Sequence, residues 1–191
     1  MLSKTVRIVL GCAMLPLAAA LFTTVQAEPN ELDSRSGPKG RTAPLVEKVR
    51  RATARYRNIN AALADGFVRG TPCVSGPNEG AMGVHFVLPS RIDGVVDADE
   101  PEALIYEPLP GGALRLVGIE FIVIADAWAA EHPQGGTPAV EGHLTNYVGQ
   151  PNRYGLPAFH ELHVWAWEDN PNGNFADWNT RVSCDKQPLT E

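Results

Sequence analysis

The stretch A-F-H-E-L-H-V-W-A-W, residues 158–167, decides how the rest of this chain is read. It gathers two of the chain's five histidines, a glutamate and two tryptophans into ten residues. Val164, Trp165 and Trp167 favour a strand over a helix, and successive side chains of a strand point to opposite faces. His160 and His163 therefore fall on opposite sides. His163 shares its face with Phe159, Glu161, Trp165 and Trp167, whereas His160 lies with Leu162, Val164 and Ala166.

Two further segments carry one comparable residue each. Leu114–Ile124 (LRLVGIEFIVI) is the longest strand candidate and is expected at the centre of a sheet. It places Glu120 amid Ile119, Phe121 and Ile122, where a carboxylate is costly unless paired. Ala81–Leu88 (AMGVHFVL) carries His85 beside Gly83, whose missing side chain lets another group approach. Ala103–Tyr106 is a shorter strand, joined to the long one through Pro110-Gly111-Gly112 as a hairpin.

Two imidazoles and a carboxylate from three strands, His85, Glu120 and His163, form a facial set for a divalent transition metal: iron, manganese, zinc or copper. The other reading is a structural cluster in which a buried glutamate hydrogen-bonds a buried histidine. Glu161, on the His163 face, is the nearest candidate base if the site is catalytic. His143, in V-E-G-H-L-T-N-Y, is placed to close the site from a loop. Trp165 and Trp167, two apart, make an aromatic ledge for core packing or for stacking a small ligand. His132, beside Pro133, reads as a loop residue. No nucleophile elbow, phosphate loop, dinucleotide fingerprint, HExxH or c-type haem motif is present.

Ahead of the strands, Leu45, Val49, Ala52, Tyr56, Ile59 and Leu63 recur at helical spacing, with Thr42 as cap and Pro44 in the first turn. Asp65-Gly66 ends this helix, and a break is expected near Asn58. Residues 125–157, rich in Pro and Gly, read as a lid or an insertion.

The ends and the composition set the compartment. Residues 1–27 have a basic start (Lys4, Arg7), an apolar run and the small-residue ending Val25-Gln26-Ala27, which is the pattern of a cleaved signal peptide. Residues 28–42 are a polar leader, and residues 43–191 are expected to form one domain. Loss of Lys4 and Arg7 takes the formal charge from −6 to −8, which argues against nucleic-acid binding and against docking on anionic lipid. Cys12 leaves with the signal. Cys73 and Cys184 remain, and in the periplasm or outside the cell they are expected to pair.

The segments A-L-A-D-G-F (62–67), M-G-V-H-F (82–86), L-V-G-I-E-F (116–121), L-H-V-W-A-W (162–167) and N-P-N-G-N-F (170–175), closing on Cys184, resemble a family of uncharacterised exported bacterial proteins. The resemblance spans residues 52–184 and implies a shared fold, with His85, Glu120 and His163 inside its motifs. It implies no activity.

The expected architecture is α+β or mainly β: a helix packed on a curved antiparallel sheet or small barrel, cystatin-like or cupin-like. The expected function is an exported metal-site protein. Its alternative is a non-catalytic ligand-binding or structural module, with an apolar pocket between helix and sheet or a hydrogen-bonded His/Glu core.

Overall fold

The structure, a computed structural model, describes residues 42–187. The expected signal peptide and all but the last residue of the expected leader lie outside the described residues. Among those described, no helix is long and apolar enough to cross a membrane.

The fold is α+β and dominated by antiparallel pairing. In chain order the strands are β1 (Val68–Arg69), β2 (Val74–Gly76), β3 (Gly80–Val87), β4 (Ala103–Pro108), β5 (Leu114–Ile124), β6 (Ala139–Val140), β7 (His143–Leu144), β8 (Asn146–Val148) and β9 (Phe159–Val164). The main sheet runs β1-β3-β4-β5-β9-β8, with β2 also on β3, while β6 and β7 form a separate pair. The sheet is open, so the closed barrel of a cupin is not formed. β5 is central, hydrogen-bonded to β4 on one side and β9 on the other. The β4–β5 hairpin turns at Pro110–Gly112, where Gly111 and Gly112 take positive φ values that favour glycine.

The helical stripe is realised in two pieces. Helix α1 spans Pro44–Thr53, a 3-10 turn follows over Ala54–Arg57, and α2 spans Ile59–Ala64. The break falls at Asn58, which caps α2 by accepting a hydrogen bond from the Asn60 N–H at 3.1 Å. The cap of α1 is Ala43, not Thr42. The 3-10 turn rotates the phase of everything after it. Ala62 is therefore buried and Leu63 is 49% exposed, the reverse of the uninterrupted stripe.

Leu45, Val46 and Val49 of α1 pack with Val84, Phe86, Leu104, Ile119, Phe121, Leu162 and Val164 on one face of the sheet. Burying each such aliphatic side chain contributes about 1.5–3 kcal/mol before the entropy of ordering is subtracted. Tyr106 donates its hydroxyl to the Tyr56 carbonyl at 2.7 Å, and the Trp167 indole N–H reaches Thr53 Oγ1 at 3.1 Å. These contacts tie the helical segment to the sheet.

The other face carries two smaller apolar clusters. One holds Ala81, Ile105, Val117, Trp165 and Val182, and the second holds Ala103, Ile122 and Phe159. The C-terminal segment is held against this framework by the Cys73–Cys184 disulfide and by paired backbone bonds between Ala81 and Asn179.

Candidate metal centre

The polar cluster sits on the sheet face opposite the helix, among those two apolar clusters. Register explains how it assembles. Glu120 on β5 stands opposite His163 on β9 and Ala103 on β4, while His85 on β3 stands opposite Ile105, which faces Gly118. His85 and Glu120 are therefore one row apart across β4. The residues between them in these rows include the small Ala103 and Gly118, which leave room for two large polar side chains. His85, Glu120 and His163 are fully buried, and each offers a ligand atom within 4.8 Å of the others. The three residues picked from separate segments of sequence thus converge. The rings of His85 and His163 stand 5.8 Å apart and nearly perpendicular, at 87°.

Thr71, in the loop between β1 and β2, orients His85. Its Oγ1 lies 3.1 Å from Nδ1 and also accepts the His85 backbone N–H at 3.3 Å. Nε2 is thereby turned inward, 3.4 Å from Glu120 Oε2. The Tyr154 hydroxyl donates to the same Oε2 at 3.4 Å, and its ring meets His85 edge-on at 5.7 Å. Among the described residues, His85 Nε2 and both ring nitrogens of His163 have no hydrogen-bond partner, and Glu120 Oε1 meets no N–H or hydroxyl donor, although the Glu161 carboxyl lies within hydrogen-bond reach of Glu120. The 3.4 Å contact between His85 Nε2 and Glu120 Oε2 is a close approach that does not satisfy Nε2.

Burial dominates the electrostatics. It pushes the His85 imidazolium well below the usual histidine range, helped by His163 and Arg153. It takes His163 down to about 3, again with help from Arg153. The Glu120 carboxyl is held well above the ordinary carboxylate range by burial and by neighbouring Glu161. Glu161 is raised by burial too. Burial thus disfavours the charged form of all three groups.

Glu161 lies on the same face, opposite Ile122, and joins His163 and Asp177 in a second set of mutually close ligand atoms. His163 Nδ1 lies 3.8 Å from Asp177 Oδ1. Glu161 and Asp177 line a cleft of about 710 Å³, with Met82, Arg153, Tyr154 and Trp178 among its walls. The Arg153 guanidinium rests over the Trp178 ring at 5.8 Å and points Nη1 at the Met82 sulfur.

Other expected site residues lie elsewhere. The ledge of Trp165 and Trp167 is not formed, because β9 stops at Val164. Beyond it the Trp167 and Glu168 N–H groups both reach the Val117 carbonyl, so the period of two is lost. Trp165 packs on the site face, over Gly118, and Trp167 packs on the helix face. His143 does not close the site. It belongs to the small β6–β7 pair, and its ring lies 3.9 Å from that of Phe175. The close approach that Gly83 permits, at φ +93°, is by the Tyr106 backbone carbonyl of β4. Thr71, Tyr154 and Asp177 were not singled out in the sequence. Asp177, in F-A-D-W, stands in a segment with no regular period, and Tyr154 lies in a loop of Gly and Pro.

The chain matches no protein-family model, no curated protein and no solved structure.

Proposed function

We propose that His85, Glu120 and His163 bind a divalent transition-metal ion, and that the protein is an exported metal-site protein. The observation that carries this reading is the set of unpartnered polar atoms: His85 Nε2, Glu120 Oε1 and both nitrogens of His163, all buried. Leaving a buried polar atom without a partner costs about 1–3 kcal/mol, and folded proteins rarely tolerate several together. A hydrogen-bonded structural core would have paired the imidazole nitrogens as well as the Glu120 carboxyl. One ion taking a lone pair from each residue accounts for one nitrogen of each imidazole and one Glu120 oxygen, while His163 Nδ1 lies nearest Asp177.

The spacing supports the same reading. Ligand atoms held at about 2.1 Å from a tetrahedral ion stand about 3.4 Å apart, and His85 Nε2 and Glu120 Oε2 are separated by 3.4 Å. Two imidazoles and one carboxylate suit iron, manganese, zinc or copper and leave positions open for a small ligand. The ion would supply Lewis acidity; the chain's own groups hold and orient. Thr71 fixes the His85 ring, and Glu161 stands nearest as an acid–base group for a small molecule arriving through the cleft. The Cys73–Cys184 disulfide fits an oxidising compartment, in keeping with the signal-like first 27 residues and with the exported bacterial proteins the chain resembles.

The test compares His163→Ala with the wild-type protein by thermal melting, with and without added Zn²⁺. For a ligand, the substitution abolishes the rise in Tm that Zn²⁺ gives the wild type, and the metal-free proteins melt alike within a few degrees. For a structural histidine, the variant melts far lower and Zn²⁺ stabilises neither protein.

A further inference from the structure

The three inner ligands have no exposed surface, so an ion bound there needs an access route. The route visible in the structure is the cleft, where Glu161 and Asp177 meet His163. We propose that Glu161, Asp177 and His163 form a second, outer cation site facing the cleft, which captures a divalent ion from solvent and delivers it to His85, Glu120 and His163. This inference rests on the inner site being a metal site.

Three observations carry it. First, the outer residues offer ligand atoms within 4.8 Å of one another, as the inner ones do. Second, His163 belongs to both sets, and both of its nitrogens are buried and unpartnered. Nδ1 is the nitrogen near Asp177, and the proposal assigns Nε2, on the far side of the ring, to the inner set. One imidazole thus presents a donor atom to each seat. Third, the spacing suits coordination. Donor atoms on a single ion with bonds of about 2.1 Å stand about 3–3.4 Å apart. The 3.8 Å between His163 Nδ1 and Asp177 Oδ1 closes with a small rotation of Asp177, whose side chain is 35% exposed. Asn146 Nδ2 already donates to that oxygen at 3.2 Å and aims the carboxylate.

The two seats need not be filled together. With the ion at the outer seat, His163 binds it through Nδ1 and keeps its proton on Nε2. On transfer the ion takes the Nε2 lone pair, the Nε2 proton and any proton on Glu120 leave to solvent through the cleft, and Nδ1 takes a proton from solvent in the cleft and donates it to Asp177 as a hydrogen bond. The ring is neutral in both states. Among the described residues, Arg153 is the one lysine or arginine lining the cleft, and its positive charge opposes the incoming cation.

The experiment uses Co²⁺ as the probe, followed by visible absorbance, on the full chain without a metal-binding tag. His85→Gln cripples the inner seat alone, with Glu120→Gln as its replacement if the first variant does not fold by circular dichroism. The expected results are that this variant still takes one Co²⁺, at least about tenfold more weakly than wild type, and that adding Asp177→Asn abolishes the binding. In an otherwise wild-type chain Asp177→Asn slows Co²⁺ uptake about tenfold or more, and Arg153→Gln accelerates it. The inference is overturned if the inner-site variant takes no Co²⁺ while wild type does. It is equally overturned if Asp177→Asn loads at the wild-type rate, which is the behaviour of a carboxylate that merely orients His163. Wild-type protein that takes no Co²⁺ at all sinks the inner site and the outer one together.

Discussion

Thr71 Oγ1 stands 3.1 Å from His85 Nδ1, and that contact decides which nitrogen of His85 faces Glu120. With an ion on Nε2, Nδ1 carries the proton and donates it to the threonine hydroxyl. Such outer contacts on a ligating histidine are typically worth 10–100-fold in metal affinity. Thr71→Val keeps the shape and removes the acceptor. It is expected to weaken Zn²⁺ binding by about 10–100-fold and to destabilise the metal-free fold by about 1–2 kcal/mol. Thr71→Ser, which restores the hydroxyl, is expected to recover most of the affinity. Titration against a competing chelator measures both.

The buried Glu102 is expected to lower stability as pH rises. Its carboxyl is pushed up to about 8, chiefly by burial, although Oε2 accepts the Ile122 backbone N–H at 2.9 Å. The unfolded chain loses this proton near pH 4.3. Between that value and about 8 the folded state holds more protons, so each step up in pH favours unfolding. The loss is fully developed above the folded value and is on the order of several kcal/mol. Glu102→Gln keeps an acceptor for Ile122 and removes the titration. It is expected to stabilise the protein at pH 8 and to leave it nearly unchanged at pH 4, as read by urea unfolding at the two pH values.

Cys73 and Cys184 are 111 residues apart in sequence. Closing a loop of that length contributes about 4–5 kcal/mol in the chain-entropy account, and removing such a bridge typically costs about 2–5 kcal/mol. The double variant Cys73→Ala/Cys184→Ala should lose stability in that range. The bridge also anchors the segment that carries Asp177, so hydrogen exchange around residues 176–184 should quicken more than in β5.

Parts of this arrangement were legible in the sequence because strands have a period of two. That period placed Glu161 and His163 together and His160 apart, and the length of Leu114–Ile124 marked it as central. It also picked His85, Glu120 and His163 out of three separate strands. The reading failed where the backbone leaves regular geometry. The bend after Val164 sends Trp167 to the helix face, and the 3-10 turn at Ala54–Arg57 exposes Leu63 and buries Ala62. Thr71, Tyr154 and Asp177 come from loops, where position is set by tertiary packing and hydrogen bonds rather than by any repeat along the chain.

The central claim is that three buried side chains hold one ion. Its most direct test is elemental analysis of protein purified without a metal-binding tag, beside Glu120→Gln prepared identically. The account predicts about one divalent transition-metal ion per chain in the wild type and a small fraction of that in the variant. Folded wild-type protein that carries no such metal, and that takes up none when iron, manganese, zinc or copper is supplied, would contradict it.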